Sequence, residues 1–451
     1  MLNVTVPTSW QPERAWIANV VFEQFLGLDH RIIYGEPGLV RISAEDKSLT
    51  LSDEFFESGM SIECLPSNWD VSQDMLGVRL CAPTVPVLFG VPGFTTCRTG
   101  AQLGLDVFGS AFFMLARYEE TRRFERDQHG RFPADQSAAV RAGFLERPII
   151  DEYVEILWAA MKNLWPRLTR KERSPQKLIS CDVDHPFDPA CASIFRLGKR
   201  MLGHVFRDRS FQAALSSLKN FRAVQAGDRA RDPYWQALCW IMDVNEHAGN
   251  QVTFNFIPET THARKDNSPP LEDSRMRELL RAVYSRGHLI GIHPGYNTYR
   301  HPDAFARSVA TLRRILDEEG IEQDELGGRQ HYLRWDVNRT AQLWETNSLS
   351  YDSTLGYPTV AGFRTGTCHE YTMFDVVGRN PLALKQRPLV VMENAVIDQC
   401  NMGLGHDEDA WNIMRHYRQF CEIMDGDFTL LWHNSSFLDE AACAMYCDII
   451  D

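Results

Sequence analysis

Over residues 1–150 the apolar positions fall into short runs, at 31–34, 39–42 and 85–89, broken by Gly and Pro. Runs of that length predict short strands. They give way to a helical rhythm, with Phe108, Phe112, Leu115 and Tyr118 on one side. An aromatic stripe at that spacing is what a helix buries, so these rings are assigned to the core. Residues 122–131 read as a charged loop and 152–164 as a connecting helix. The segment 169–177 is polar and proline-bearing, and is the predicted boundary.

After it, strand and helix patterns alternate. Short apolar runs at 177–181, 251–257, 288–292, 388–392 and 428–432 predict buried strands. Leu279, Leu280 and Val283 mark a helix over 274–286 that Gly287 stops. Further helices are predicted over 302–319, 338–346 and 407–424, the last with Trp411, Met414, Tyr417 and Cys421 on one face. Alternation of this kind implies a parallel sheet, and its length suggests a barrel. Residues 192–250 are extra, mostly helical, and predicted to be inserted between the first two strands.

With 451 residues the chain can hold two or three domains. Its net charge of −13 speaks against nucleic-acid or anionic-membrane surfaces, which need clustered Lys and Arg. The basic stretch 196–209 is read as a solvated helix face. Eleven cysteines without a CxxC pair point to reduced thiols rather than disulfides, and Cys443 and Cys447 are read as packing. The first residues lack the basic region and apolar core of a signal peptide, and no run approaches the ~18 residues of a membrane span. The expectation is a cytoplasmic chain.

Four apolar runs end in polar groups of hydrolase type. Asp182 and Asp184 stand two apart, so strand alternation points both carboxylates the same way. One can hold a metal while the other stays free as a base, although such a pair alone also suits a turn. His293 follows the run at 288–292. A second ligand four residues on would fall at 297, where this chain has Asn297, a weaker zinc donor than imidazole. Arg329 and His331 stand two apart in a Gly-rich loop, and an arginine beside a carboxylate lowers its pKa and fixes its orientation. Tyr332 adds a backbone N–H able to face an oxyanion. His433 closes the last run in a position suited to a general acid, with Asp352 as its candidate partner. Each residue singly has an ordinary structural reading. Gathered at the strand ends of a parallel barrel, they point to a metal-dependent hydrolase.

Five segments, Cys-Asp182-Val-Asp184, Gly-His-Leu-Ile-Gly-Ile-His293, Arg329-Gln-His-Tyr332, Tyr351-Asp352-Ser353 and Leu-Leu-Trp-His433, occur in the order of the five motifs of the polysaccharide deacetylase (NodB-type, carbohydrate esterase) family. Residues 176–440 resemble that catalytic domain. The first 165, with Val-Leu-Phe-Gly90, Asp106-Val-Phe-Gly-Ser-Ala-Phe-Phe, Ala116-Arg-Tyr-Glu-Glu and Phe144-Leu-Glu-Arg-Pro148, resemble the accessory domain of a bacterial subgroup associated with surface-polysaccharide biosynthesis.

The resemblance implies an α/β chain: a distorted parallel (β/α) barrel over 176–440, with the helical insertion at about 192–250, preceded by a smaller α/β accessory domain over 1–165. It implies Asp182 as base, Asp184 and His293 as metal ligands, and Arg329 as the residue that orients the base. It implies His433 as the acid that protonates the leaving amine, tuned by Asp352. The chain departs from the pattern at Asn297, in the place of the third ligand, and at His331, in the place of a proline. Asn297, His185 or His331 is therefore the expected third ligand. The implied activity is removal of an N-acetyl or N-formyl group from a nucleotide- or lipid-linked amino sugar, with a divalent ion, Zn²⁺ by expectation. Hydrolysis without a metal, and a non-catalytic carbohydrate-binding or scaffold barrel, are the alternatives. The intact proton-transfer groups speak against the scaffold.

Overall fold

The computed structural model describes all residues except 36–37, 64–65, 76, 207–208 and 438–439. The chain divides into two compact units. The first holds Met1–Lys177, Tyr332–Gly405 and Asn412–Leu430; the second holds Leu178–His331, His406–Trp411 and Leu431–Asp451. The backbone passes between the units several times, where the polar segment 169–177 had suggested one boundary.

The first unit is built on a mixed sheet. Strand β1 (Leu2–Pro7) pairs in parallel with β2 (His30–Gly35) and antiparallel with β3 (Val40–Ala44). With β4 (Lys47–Leu51), β5 (Gly90–Cys97) and β6 (Gly100–Leu105) the order is β2-β1-β3-β4-β6-β5. Val40 and Ile42 are buried while Arg41 between them is exposed, the alternation of a sheet with one covered face. Helices α1 (Gln11–Asn19), α2 (Val107–Leu115) and α3 (Ile149–Leu164) supply core residues. Every residue of α2 is buried, as a helix that is apolar all round but for Ser110 requires. Asp106 caps its first turn by accepting from Gly109 N at 2.7 Å. Phe108, Phe112, Leu115 and Tyr118 lie in the core. Several buried charges here are paired: Arg14 meets Asp53 through two bonds of 2.6 and 2.8 Å, and Glu120 lies between Arg117 and Arg364. Tyr351–Asp352, Asn380–Gln386 and Tyr371–Asp375 form a small separate sheet in that order.

The second unit carries the parallel strands. Strand β7 (Lys177–Val183) is flanked by β8 (Val252–Phe256), and β8 by β9 (Leu289–Ile292), all parallel. Trp432 N donates to Ser180 O alongside β7 at 3.0 Å. These strands are almost wholly buried, which is why they read as continuous apolar runs rather than alternating ones. Helices α4 (Ile194–Phe206), α5 (Phe211–Gln225) and α6 (Pro233–His247) lie between β7 and β8 in the chain. Asp232 caps α6 through Tyr234 N and Trp235 N, and Pro233 fills its first position. Helix α7 (Ser274–Ser285) follows β8, and α8 (Pro302–Glu318) follows β9.

The architecture is mixed α/β with parallel strands, and no closed barrel forms among the described residues. Among the described residues no further strand of this unit after α8 lies beside β9. It meets β9 at one bridge, Ile292 with Gly328. Ile292 N donates to Gly327 O at 2.8 Å and Arg329 N to Ile292 O at 3.0 Å. A Cβ at residue 328 would lie 2.0 Å from Ile292 O, so only glycine lets the loop approach this closely.

Candidate functional site

The site of the second unit is built where β7, β8 and β9 end. Asp182 comes near the end of β7, and strand register sets Asn255 of β8 opposite it. Asn255 Nδ2 donates to Asp182 Oδ1 at 2.7 Å. Arg329, fully buried, donates through Nη1 to the same oxygen at 2.9 Å and to Ser180 Oγ at 3.0 Å. Burial on its own would raise the Asp182 pKa. The Arg329 guanidinium, then His293 and His433, then the Asn255 bond outweigh it and hold the carboxyl below the usual range. Asp182 is thus kept ionised, as a base must be.

Asp184, two residues on, faces imidazoles. Its Oδ1 lies 3.2 Å from His293 Nε2 and 3.3 Å from His331 Nε2, while Oδ2 lies 3.8 Å from His433 Nε2. Burial opposes its ionisation, but His331 and His293 hold its pKa well below the usual range. The two rings stand 4.8 Å apart between centroids.

Both imidazoles have their tautomer set from behind. His293 Nδ1 lies 2.6 Å from Arg329 O. A carbonyl only accepts, so Nδ1 carries the proton and the lone pair of neutral His293 is on Nε2, toward Asp184. His331 Nδ1 lies 2.8 Å from Asp266 Oδ1, which has the same effect. Burial works against a charge on His331, yet Asp184 and Asp266 push its pKa up to about 9. Asp266 is held in turn by Tyr296 N on Oδ1 and by Thr261 N, Thr261 Oγ1 and His262 N on Oδ2, at 2.7–2.8 Å.

One ligand atom from each of Asp184, His293 and His331 falls within 4.8 Å of the others. Asp184 Oδ1 is buried and makes no hydrogen bond. Once His331 gives up its Nε2 proton, an acidic oxygen beside two Nε2 lone pairs is a donor set suited to a divalent ion. A second group in the other unit, Asp151, Cys368 and His369, is also close-set. Its donors are already spent: Asp151 accepts from Thr367 Oγ1, Cys368 N and Cys368 Sγ, and His369 Nδ1 accepts from Arg173 Nη1 at 2.7 Å.

Of the residues singled out in the sequence, Asp182, Asp184, His293, Arg329, His331 and His433 come together. Asn297 does not present its amide nitrogen to them. Its backbone N and Nδ2 bond Thr261 Oγ1 and Thr261 O, both at 2.9 Å. The i+4 expectation assumed a helical turn after His293, but residues 293–299 form an irregular loop. His331 is the third member of the close-set group. His185 is half-buried, and its carbonyl accepts from Asn434 Nδ2 at 2.9 Å. Tyr332 and Asp352 belong to the first unit. There Tyr332, at φ 62°, accepts on its carbonyl from Arg131 Nη1 at 2.9 Å, and Asp352 Oδ1 accepts from Thr354 N at 3.0 Å.

Asn255, Ser180 and Asp266 were not foreseen. Asn255 has a signal, a buried amide within the strand run Val-Thr-Phe-Asn-Phe. Asp266, in a Lys-Asp-Asn-Ser-Pro loop, has none beyond that of a turn former.

A family of unknown function, DUF7033, matches residues 2–166. Comparison with curated protein sequences finds no match. Among solved structures, the chain is similar to one assigned as a polysaccharide deacetylase from Mycobacterium smegmatis, at 15% identity and TM-score 0.40, covering 62% of this chain and 84% of that one. It is similar to another so assigned from Pseudomonas aeruginosa PAO1, at 15% identity and TM-score 0.34, covering 52% and 69%. A third is PuuE allantoinase, at 16% identity and TM-score 0.33, covering 50% and 69%.

Proposed function

We propose that this chain is a metal-dependent carbohydrate de-N-acetylase, acting on a nucleotide- or lipid-linked amino sugar in surface-polysaccharide biosynthesis, with its catalytic unit a distorted NodB-type barrel. The observation that carries the reading is the pairing of two devices at one place. Asp184, His293 and His331 offer one metal-ligating set, and beside them Asp182 is held ionised by Arg329.

Asp184, His293 and His331 would hold the ion, with Asp266 and the Arg329 carbonyl keeping both Nε2 atoms turned toward it. A bound divalent ion supplies Lewis-acid polarisation of the amide carbonyl. Asp182 removes the proton from the attacking water. Arg329 and Asn255 both bond its Oδ1, which leaves Oδ2 as the oxygen that receives that proton. His433, the more exposed of the site imidazoles, protonates the departing amine, and the N-acyl C–N bond breaks to give a carboxylate and a free amino sugar.

A specific observation favours a second reading, hydrolysis without a metal. His331, with its pKa near 9, is an imidazolium at neutral pH when no ion displaces its proton. It then provides a positive charge at the same place. Both readings are tested by one experiment: acetate release from acetamido sugars, measured on protein stripped with chelator and then reloaded with Zn²⁺. The proposed function requires activity that disappears on stripping and returns on reloading. Full activity in the stripped protein transfers the conclusion to the imidazolium reading, and no acetate release under either condition refutes both.

A further inference from the structure

We infer that helices α4 and α5 form a docking surface for an anionic lipid bilayer. On α4, Phe195, Leu202 and Phe206 recur at i, i+7 and i+11, within about 20° of one line along the helix. Phe195 is 82% exposed and Phe206 77%, and Ile194 beside them is exposed as well. Helix α5 adds Phe211, 72% exposed, and Leu215. The opposite side is the anchored one: Leu197 and Ala214 are buried, and Arg200 turns to Asp188. Six large apolar side chains left in water by two adjacent helices are more than a folded surface leaves by chance.

The charges around them identify the occupant. Arg196, Lys199, Arg209, Lys219 and Arg222 are exposed, and Lys199, one turn after Phe195, lies beside the apolar line. Residues 193–227 hold seven Lys and Arg against one acid, Asp208, in a chain whose net charge is −13; Arg207 and Asp208 lie outside the described residues. The whole-chain charge, which argued against an anionic membrane, averages over this segregation, and the solvated-face reading of 196–209 leaves the exposed phenylalanines unexplained. A second copy meeting this face would set its cations against the same cation-rich surface. An anionic headgroup layer instead pairs the cations while the apolar line enters the acyl boundary. Helix α4 has 13 residues, about 20 Å against a ~30 Å hydrocarbon core. It lies on the membrane rather than across it, and no helix of the described residues is long and apolar enough to cross.

Sedimentation of the full chain with vesicles tests this without any turnover, so its outcome is separate from that of the hydrolase reading. The vesicles are pure phosphatidylcholine or phosphatidylcholine with about a third phosphatidylglycerol. Binding is expected to the anionic vesicles only, and to weaken as salt shortens the screening length. The double variant Phe195→Ser, Leu202→Ser and the single variant Lys199→Glu should each weaken it by about tenfold or more. All three positions are exposed, so folding is spared. Failure of the parent chain to bind anionic vesicles at low salt overturns the inference, as does unchanged binding by both variants. A soluble dimer that the double variant dissociates, with no vesicle binding, assigns the face to a second copy and overturns it too.

Discussion

Asp266→Asn is the sharpest perturbation of the candidate metal site, because it changes neither a ligand nor a base. Asp266 accepts two hydrogen bonds on one oxygen, from His331 Nδ1 and Tyr296 N, and three on the other, from Thr261 N, Thr261 Oγ1 and His262 N. An asparagine keeps a single oxygen. In one orientation its NH₂ faces the Thr261 and His262 N–H groups; in the other it faces His331 and drives that ring to the tautomer whose proton sits on Nε2, the ligating atom. Either way the carboxylate behind His331 is gone. Loss of such a partner typically weakens metal binding 10- to 100-fold, about 1.4–2.7 kcal/mol. The proton on His331 competes with the ion up to about pH 9, and removing Asp266 weakens that proton too. Zn²⁺ affinity is therefore measured by competition with a chelating dye at pH 7 and again at about pH 9.5, where the competition has ended and the full loss is expected. Urea melts of both proteins separate any cost to the loop. An affinity within about twofold of the parent at the higher pH refutes the carboxylate–imidazole argument, since that is far below the loss such partners typically cause.

Three further outcomes are expected. Asp182→Asn should leave Zn²⁺ content unchanged and lower acetate release by about 10²- to 10⁴-fold, the usual weight of a general base; more than about a tenth of parental activity contradicts that role. His433→Ala should slow hydrolysis most for amides of poor leaving amines, and equal losses on good and poor leaving groups would show that it does not protonate them. Asp151, buried in the first unit, has its pKa raised to about 7, mainly by loss of solvent. The folded state then holds a proton that the unfolded state releases above about pH 4, so stability falls as pH rises from about 4 to 7. Asp151→Asn should flatten that slope in urea melts whatever its absolute stability, and an unchanged slope assigns the pH dependence elsewhere.

The parallel strands were legible because burial on both sides leaves unbroken apolar runs, and the polar groups closing them stood out by contrast. Asp182, Asp184, His293 and His433 were found in this way. The sequence set Asn297 first as the third ligand, with His185 and His331 as alternatives, whereas the close-set group holds His331, and the difference has a physical reason. Spacing of four residues has geometric meaning on a helix, and the chain after His293 is a loop. His331 reaches the group instead from 38 residues away in the sequence, brought there by the close approach of Gly328 to Ile292. Asp266 was hidden because a loop aspartate looks the same whether it holds a turn or a ring. The interleaving of the two units was equally invisible, since segments such as 332–405 differ in no local pattern from those on either side.

Arg329 serves the site through two chemically separate parts. Its guanidinium holds Asp182 ionised, and its carbonyl fixes the proton on His293. Every amino acid brings a carbonyl, so only the first service can be lost by mutation. A descendant of this chain that exchanged Arg329 would forfeit its base and keep its ligand geometry. Inheritance can therefore strip such a site of its proposed base while leaving its donor set in place.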